Sequence, residues 1–276
     1  MSEPKLTTVS YSIDNGIGWL RFARPTKRNA MSPTLNREMA VALDHLEFRD
    51  DVGVLVLTGE GEAWSAGMDL KEYFRETEAQ GLEGTRRAQR AAYTWWRQLR
   101  TYQKPTIAMV NGWCFGGGYG PLFACDLAFA AEEAKFGLSE INWGILPGGG
   151  ATKVATELLS MRRAMYHALT GEMLDGKTAA EWGLVNEAVP LARLEARVRE
   201  VATILLQKNP VTLKAAKDAV RRVREMTYEN AEDYLIRAQE AANSFDDNGR
   251  KEGIKQFIDD KTYKPGLAPY DRSKRR

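Results

Sequence analysis

This sequence offers a chemist one carboxylate set among apolar residues and two glycine turns that follow apolar strands. The carboxylate is Glu140, in Phe136-Gly-Leu-Ser-Glu140-Ile-Asn-Trp-Gly-Ile-Leu-Pro147. An apolar setting desolvates a carboxyl group and raises its pKa toward the range useful for proton transfer near neutrality. The duller role for such a residue is to cap a helix N-terminus. The first glycine turn lies in Lys104-Pro-Thr-Ile-Ala-Met-Val-Asn-Gly112-Trp-Cys-Phe-Gly-Gly-Gly118-Tyr-Gly-Pro-Leu-Phe-Ala-Cys-Asp126, a strand, a turn and a helix start. A helix N-terminus presents unpaired N–H groups, and glycines let a ligand carbonyl approach them closely, although glycine clusters also serve simply as tight turns. The second turn, Trp64-Ser-Ala-Gly67-Met-Asp-Leu70, also follows a strand. Two such turns at one sheet edge would aim two N–H groups at one oxygen, as acyl chemistry requires. Asp69 and Asp126 adjoin glycine-bounded strand ends and read as structural.

Other motifs lead elsewhere or nowhere. Gly171-Glu-Met-Leu-Asp-Gly176-Lys177-Thr178 spells a phosphate-loop motif letter for letter. Its context is wrong: a phosphate loop needs a buried strand before it, whereas Met161 to Thr170 reads as an amphipathic helix capped by Gly171. No dinucleotide fingerprint and no serine-hydrolase elbow occurs. Two cysteines, Cys114 and Cys125, and two histidines, His45 and His167, make neither a disulfide framework nor a metal site. Tyr93, Trp95, Trp96 and Tyr102 fall on one long helix and read as core or subunit contact.

The elements that must position these groups are legible from periodicity. Val9, Tyr11 and Ile13 alternate, Asn15-Gly16 offers a hairpin turn, and Ile17 to Phe22 returns as a strand. Ser32-Pro33 opens a helix through Leu35, Met39, Leu43 and Leu46, and Val52 to Thr58 is a strand covered on both faces. A helix over 82–103, a strand Thr106 to Asn111, a short helix after the glycines and a strand near Asp126 to Ala131 continue an α/β alternation. Beyond Asn209-Pro210 only helices are expected: Val211 to Met226, Tyr228 to Asn243 and Gly249 to Phe257. We therefore divide the 276 residues into an α/β core carrying the site, 1–208, and a helical region for oligomerisation and site cover, 209–276.

Lys and Arg (39) nearly balance Asp and Glu (37), and a net charge of +2 argues against nucleic acid as partner. No apolar run approaches the roughly 20 residues of a membrane span. MSEPKLTT lacks the sectors of a signal peptide, so a cytoplasmic protein is expected.

Together Arg24-Pro-Thr-Lys-Arg-Asn-Ala30, Ser-Ala-Gly67-Met-Asp-Leu70, Val110-Asn-Gly-Trp-Cys-Phe-Gly-Gly-Gly118 and Phe136-Gly-Leu-Ser-Glu140 followed by Pro147-Gly-Gly-Gly150 resemble the enoyl-CoA hydratase (crotonase) superfamily, over most of the chain. More narrowly, Gly67-Met-Asp-Leu-Lys-Glu-Tyr-Phe-Arg75, Asn111 to Gly118 and Ser139-Glu-Ile-Asn-Trp-Gly144 are similar to the hydroxycinnamoyl-CoA hydratase-lyases, which turn feruloyl-CoA into vanillin.

The resemblance implies an α/β fold built as a crotonase-like spiral of ββα units, a homotrimer or dimer of trimers, an acyl-CoA thioester as partner, and no metal or other cofactor beyond the coenzyme A of the substrate. It makes Met68 and Gly117 the backbone donors to the thioester oxygen and Glu140 the acid/base carboxylate. It assigns Lys27, Arg28, Ala30, Ala66 and Leu70 to coenzyme A, with simple solvation as the alternative for the two cations. Tyr73 matches a tyrosine that meets the substrate phenol. Gly120 stands where hydratases place a first glutamate and hydratase-lyases a Ser or Thr, so one carboxylate must serve every proton transfer. A second phenol-binding tyrosine is replaced by Ile236, with Tyr234 nearby on another helix face. Two other readings compete with the hydratase-lyase: a single-carboxylate hydratase, isomerase or decarboxylase acting on another acyl-CoA, and a catalytically silent scaffold.

Overall fold

Asn15 and Gly16 both take positive φ, 51° and 80°, which is the mirror-image turn that suits a two-residue hairpin. The computed structural model, which describes residues 3–246, 248–262 and 269–272, opens on that hairpin. Strand β1 (Val9–Asp14) pairs antiparallel with β2 (Ile17–Phe22). The Ser32 hydroxyl accepts the Leu35 N–H at 3.1 Å and starts α1 (Pro33–Glu47) with a first-turn proline. Strand β3 (Val54–Gly59) then lies parallel to β2. It begins two residues later than its apolar run suggests, because Val52 and Gly53 bond Arg49 O and Gly16 O in the turn.

From here a unit repeats. Each of β3, β5 (Thr106–Val110) and β7 (Leu127–Ala131) runs through the main sheet, turns a corner, and continues as a three-residue strand of a second sheet: β4 (Ala63–Ser65), β6 (Trp113–Phe115) and β8 (Lys135–Gly137). The six-stranded sheet has the order β1-β2-β3-β5-β7-β10 and the four-stranded sheet β4-β6-β8-β9. At one corner a Cβ on Gly112 would stand 1.9 Å from Glu62 O, so only glycine lets β6 leave the first sheet there. Helices follow each pair: α2 (Glu76–Glu78) and α3 (Gly81–Arg100), α4 (Tyr119–Ala124), then α5 (Ala151–Leu158) and α6 (Met161–Thr170). The unit closes with β9 (Leu174–Asp175), α7 (Gly176–Trp182), β10 (Glu187–Val189) and α8 (Leu191–Leu206). Helix α3 ends three residues before the expected 103, and Tyr102 turns inward to donate to Leu43 O at 3.0 Å.

The chain divides into two compact units, 1–102 with 106–200, and 103–105 with 201–276. The second holds α9 (Pro210–Val223), α10 (Tyr228–Phe245) and α11 (Gly249–Ile258). Asn209 caps α9 by accepting the Val211 and Thr212 N–H groups, and Thr227 caps α10. Among the described residues no helix is long and apolar enough to cross a membrane.

Candidate active site

The loop Arg24 to Ala30 is stitched to the Gly67 turn by backbone bonds. Ala66 N–H donates to Arg28 O, Met31 N–H to Gly67 O at 2.7 Å, and Asp69 N–H to Met31 O at 3.0 Å. These are the bonds of a parallel bridge between Met31 and Met68, a pattern that passes over the Met68 N–H. The other glycine turn, Gly116–Gly118, is a 3₁₀ segment, and a residue in its first turn has no intrahelical acceptor for its N–H. Gly117 is such a residue. A Cβ on Gly117 would lie 3.3 Å from Met68 N, and one on Gly67 would lie 3.2 Å from Gly117 N. Two uncommitted N–H groups from different strand ends thus stand side by side.

Glu140 sits beside them. It is the second residue of the 3₁₀ turn Ser139–Trp143, and its Oε1 lies 2.4 Å from where a Cβ on Gly116 would be. Gly116 has φ of +47°, so both the backbone and the carboxylate demand glycine there. The N-cap residue Leu138 makes no side-chain cap bond, and Glu140 accepts its own backbone N–H in that first turn. Its Oε2 is buried without a hydrogen-bond partner. Burial pushes the Glu140 carboxyl above the usual range, opposed only by a bond from its own backbone N–H.

That burial has a stability consequence with a definite sign. A carboxyl whose pKa is raised on folding adds stability at low pH and loses it as pH rises through the ordinary carboxylate range toward the raised value. Glu140→Gln keeps a neutral group at every pH. The variant should melt a few degrees above the wild type at pH 7, and the gap should close near pH 4; calorimetry across that range checks it.

Asp69 and Asp126 are structural, as read from sequence. Asp69 pairs with the Arg24 guanidinium at 3.0 Å, both almost fully buried, and accepts the Lys71 and Glu72 N–H groups that begin the π-helical turn Leu70–Arg75. Arg24 also donates to Ala30 O at 2.6 Å. One ion pair therefore fixes the Met68 turn and the segment carrying Tyr73. Asp126 accepts the Thr106 N–H and hydroxyl.

Tyr73 is buried, and desolvation pushes its pKa up to about 12, so the hydroxyl stays a neutral donor and acceptor. The aromatic stripe of α3 divides by depth. Trp95 donates to Asn36 Oδ1 at 2.9 Å and is core, as is Tyr102. Trp96 goes to the site instead: its six-membered ring covers Gly120, 2.9 Å from where a Cβ would be, and reaches Gly149. Tyr93 meets Trp96 edge to face at 5.4 Å. Sequence reasoning missed Trp96; the available signal was a large residue and two glycines whose proximity only the fold reveals.

Behind the glycine turn, Tyr119 and His167 are fully buried. His167 Nδ1 lies 3.1 Å from Glu172 O, which can only accept, and burial lowers the imidazole pKa. Nε2 of the neutral ring therefore accepts the Tyr119 hydroxyl at 2.7 Å. Among the described residues no three His, Cys, Asp or Glu side chains gather where they could hold a metal.

Ala30 and Ala66 are half-buried where the Arg24 loop meets the Met68 turn, and Leu70 is exposed at its end. Lys27 is exposed, while Arg28 pairs with Glu62 at 3.1 Å and lies over Trp113. The geometry above involves the first unit alone; Tyr234 and Ile236 lie on α10 of the second, half-buried and exposed.

In the phosphate-loop string, Gly171 caps α6, the two-residue β9 falls inside the motif, and Gly176 opens α7. The sequence reading had no strand there. Gly176 is needed for packing, since a Cβ would lie 1.9 Å from Ala131 O. Lys177 pairs with Glu132 at 2.9 Å. No ATP affinity is expected by calorimetric titration, and Lys177→Ala should change nothing in that measurement.

Residues 12–264 match the family model described as enoyl-CoA hydratase/isomerase. The chain is 54% identical over 272 residues to a hydroxycinnamoyl-CoA hydratase-lyase of Pseudomonas fluorescens, covering 98% of this chain and 99% of that one. It is 32% identical over 246 residues to a mitochondrial enoyl-CoA hydratase of Pongo abelii, covering 89% and 82%. Its fold is similar to a solved enoyl-CoA hydratase from Bacillus anthracis, with a TM-score of 0.84 at 28% identity, covering 92% and 97%.

Proposed function

Because the chain belongs to the enoyl-CoA hydratase/isomerase family, we propose that it works there as a hydroxycinnamoyl-CoA hydratase-lyase, converting feruloyl- or 4-coumaroyl-CoA to the aromatic aldehyde and acetyl-CoA. The observation that carries this reading is the full-length likeness to the Pseudomonas enzyme of that name.

The site residues support a mechanism in which one carboxylate does all the proton work. The Met68 and Gly117 N–H groups bind the thioester oxygen and draw electron density from Cβ. Glu140 takes a proton from water as the water oxygen bonds to Cβ, and returns it to Cα of the enolate. In the second stage Glu140 removes the β-hydroxyl proton, the Cα–Cβ bond breaks, and its electrons pass into the enolate of acetyl-CoA held by the same two donors. Protonation of that enolate by Glu140 completes the cycle. An oxyanion donor of this kind is worth about 3 kcal/mol. Gly120 leaves no second carboxylate, and the raised pKa of Glu140 suits a group that must both accept and donate.

Tyr73 meets the substrate phenol in this reading, Lys27 and Arg28 stand toward the coenzyme A phosphates, and Ala30, Ala66 and Leu70 border coenzyme A. Coenzyme A enters as part of the substrate, with no separate cofactor. The protein is read as a cytoplasmic homotrimer or dimer of trimers. The exposed apolar side chains Met161, Met165 and Leu169 of α6, with Trp143 at the end of the Glu140 turn and Leu146 after it, support an oligomer.

Incubation with crotonyl-, cinnamoyl-, 4-coumaroyl- and feruloyl-CoA tests the activity. Aldehyde with acetyl-CoA from the phenolic esters alone is expected. Hydration without cleavage would move the chain to another reaction of the family.

A further inference from the structure

We propose that Trp96 is the residue that shapes the acyl pocket for an aromatic ring, and that Gly120 is glycine because Trp96 occupies the space a side chain there would need. This rests on the hydratase-lyase reading and adds a residue that determines its specificity.

Four observations carry it. The Trp96 ring lies with Cδ2, Cε3 and Cζ3 each 2.9 Å from the Cβ position of Gly120. Real Cβ atoms do not sustain such contacts with a buried, rigid indole, so a side chain at 120 and this placement of Trp96 exclude each other. Gly120 is three residues beyond Gly117 in the same helical segment, so the covered face is one turn from the candidate oxyanion donor. At the far edge of the same six-membered ring Cη2 stands 3.4 Å from the Cβ position of Gly149, in the glycine run that follows the Glu140 turn. The ring thus bridges the wall holding Gly117 and the wall following Glu140. Finally, Tyr93 packs edge to face on Trp96, so a second aromatic ring backs the indole.

An indole is an expensive way to fill this space if packing were its only purpose. Trp96 is 7% exposed and its Nε1–H is buried without an acceptor. A leucine or phenylalanine would fill much of the same volume with no orphaned donor. What the indole supplies is a broad, flat π-surface, which pairs with a planar ring and offers a short alkyl chain little.

Binding of two saturated thioesters, which cannot be hydrated, isolates this role from catalysis. The probes are 3-(4-hydroxyphenyl)propanoyl-CoA and butanoyl-CoA. Trp96→Leu should weaken the aromatic ester about 5- to 30-fold and butanoyl-CoA less than about 2-fold. Gly120→Ser should weaken the aromatic ester in the wild-type background and have little effect beside Trp96→Leu, because the clash is gone. Trp96→Phe, which removes the orphaned donor and keeps a ring, is the second variant should Trp96→Leu fold poorly, with a smaller loss in the same direction. Equal weakening of both esters, or the same Gly120→Ser penalty in both backgrounds, would overturn the proposal. Absence of aldehyde from the wild-type enzyme would overturn the hydratase-lyase reading instead, and leaves the binding ratios interpretable.

Discussion

Replacing Glu140 by glutamine is expected to lower kcat on feruloyl-CoA at least about 10²-fold while the dissociation constant of the ester moves less than about 3-fold. Glutamine keeps the shape of the side chain and cannot exchange a proton. The two backbone donors that would hold the thioester stay in place, since glutamine fills the same space against Gly116 and the backbone bonds of the Met31 bridge do not pass through the residue-140 side chain. Binding and chemistry should therefore separate. The wild-type pH profile is the second readout: the base form is the carboxylate, and burial raises its pKa. Turnover should fall as pH drops, with a midpoint above the ordinary range for glutamate. A variant keeping more than roughly a tenth of wild-type turnover would mean that another group moves the proton.

Tyr73→Phe should lower kcat/KM for feruloyl-CoA roughly 5- to 150-fold and leave crotonyl-CoA nearly unchanged. The basis is the cost of leaving a buried hydroxyl unpaired, about 1 to 3 kcal/mol. Tyr73 is buried with its pKa driven up to about 12, and its backbone is fixed from below by the Arg24–Asp69 pair that starts its turn. A hydroxyl held by so rigid a segment reads position well. An equal loss on both esters would assign Tyr73 to structure alone.

Much of this molecule was legible as text. The Asn15-Gly16 hairpin, the Ser32-Pro33 helix start, and α9, α10 and α11 follow from local chemistry: turn residues that tolerate positive φ, hydroxyl and amide caps, and apolar spacing at 3.6 residues. The glycine strings and the isolated Glu140 were visible as candidate chemistry for a like reason, since a carboxylate within a dozen mostly apolar residues needs no partner to be conspicuous.

Tertiary structure alone decided the rest. The four strands of the second sheet are two or three residues long, too short for any periodicity; three exist because a parent strand of the main sheet aims them across a corner, which at Gly112 only glycine can turn, and β9 because β8 offers it an edge. Nothing local says that the Glu140 carboxylate packs against Gly116; the fold brings the two together. Trp95 and Trp96 are adjacent in sequence and identical in type. One went to the core and the other to the site because a 100° step around α3 points one at Asn36 and the next at Gly120. Which side of a helix meets which loop depends on how sheets stack residues tens of positions apart. That is a property of the packed layers and not of any local stretch of chain.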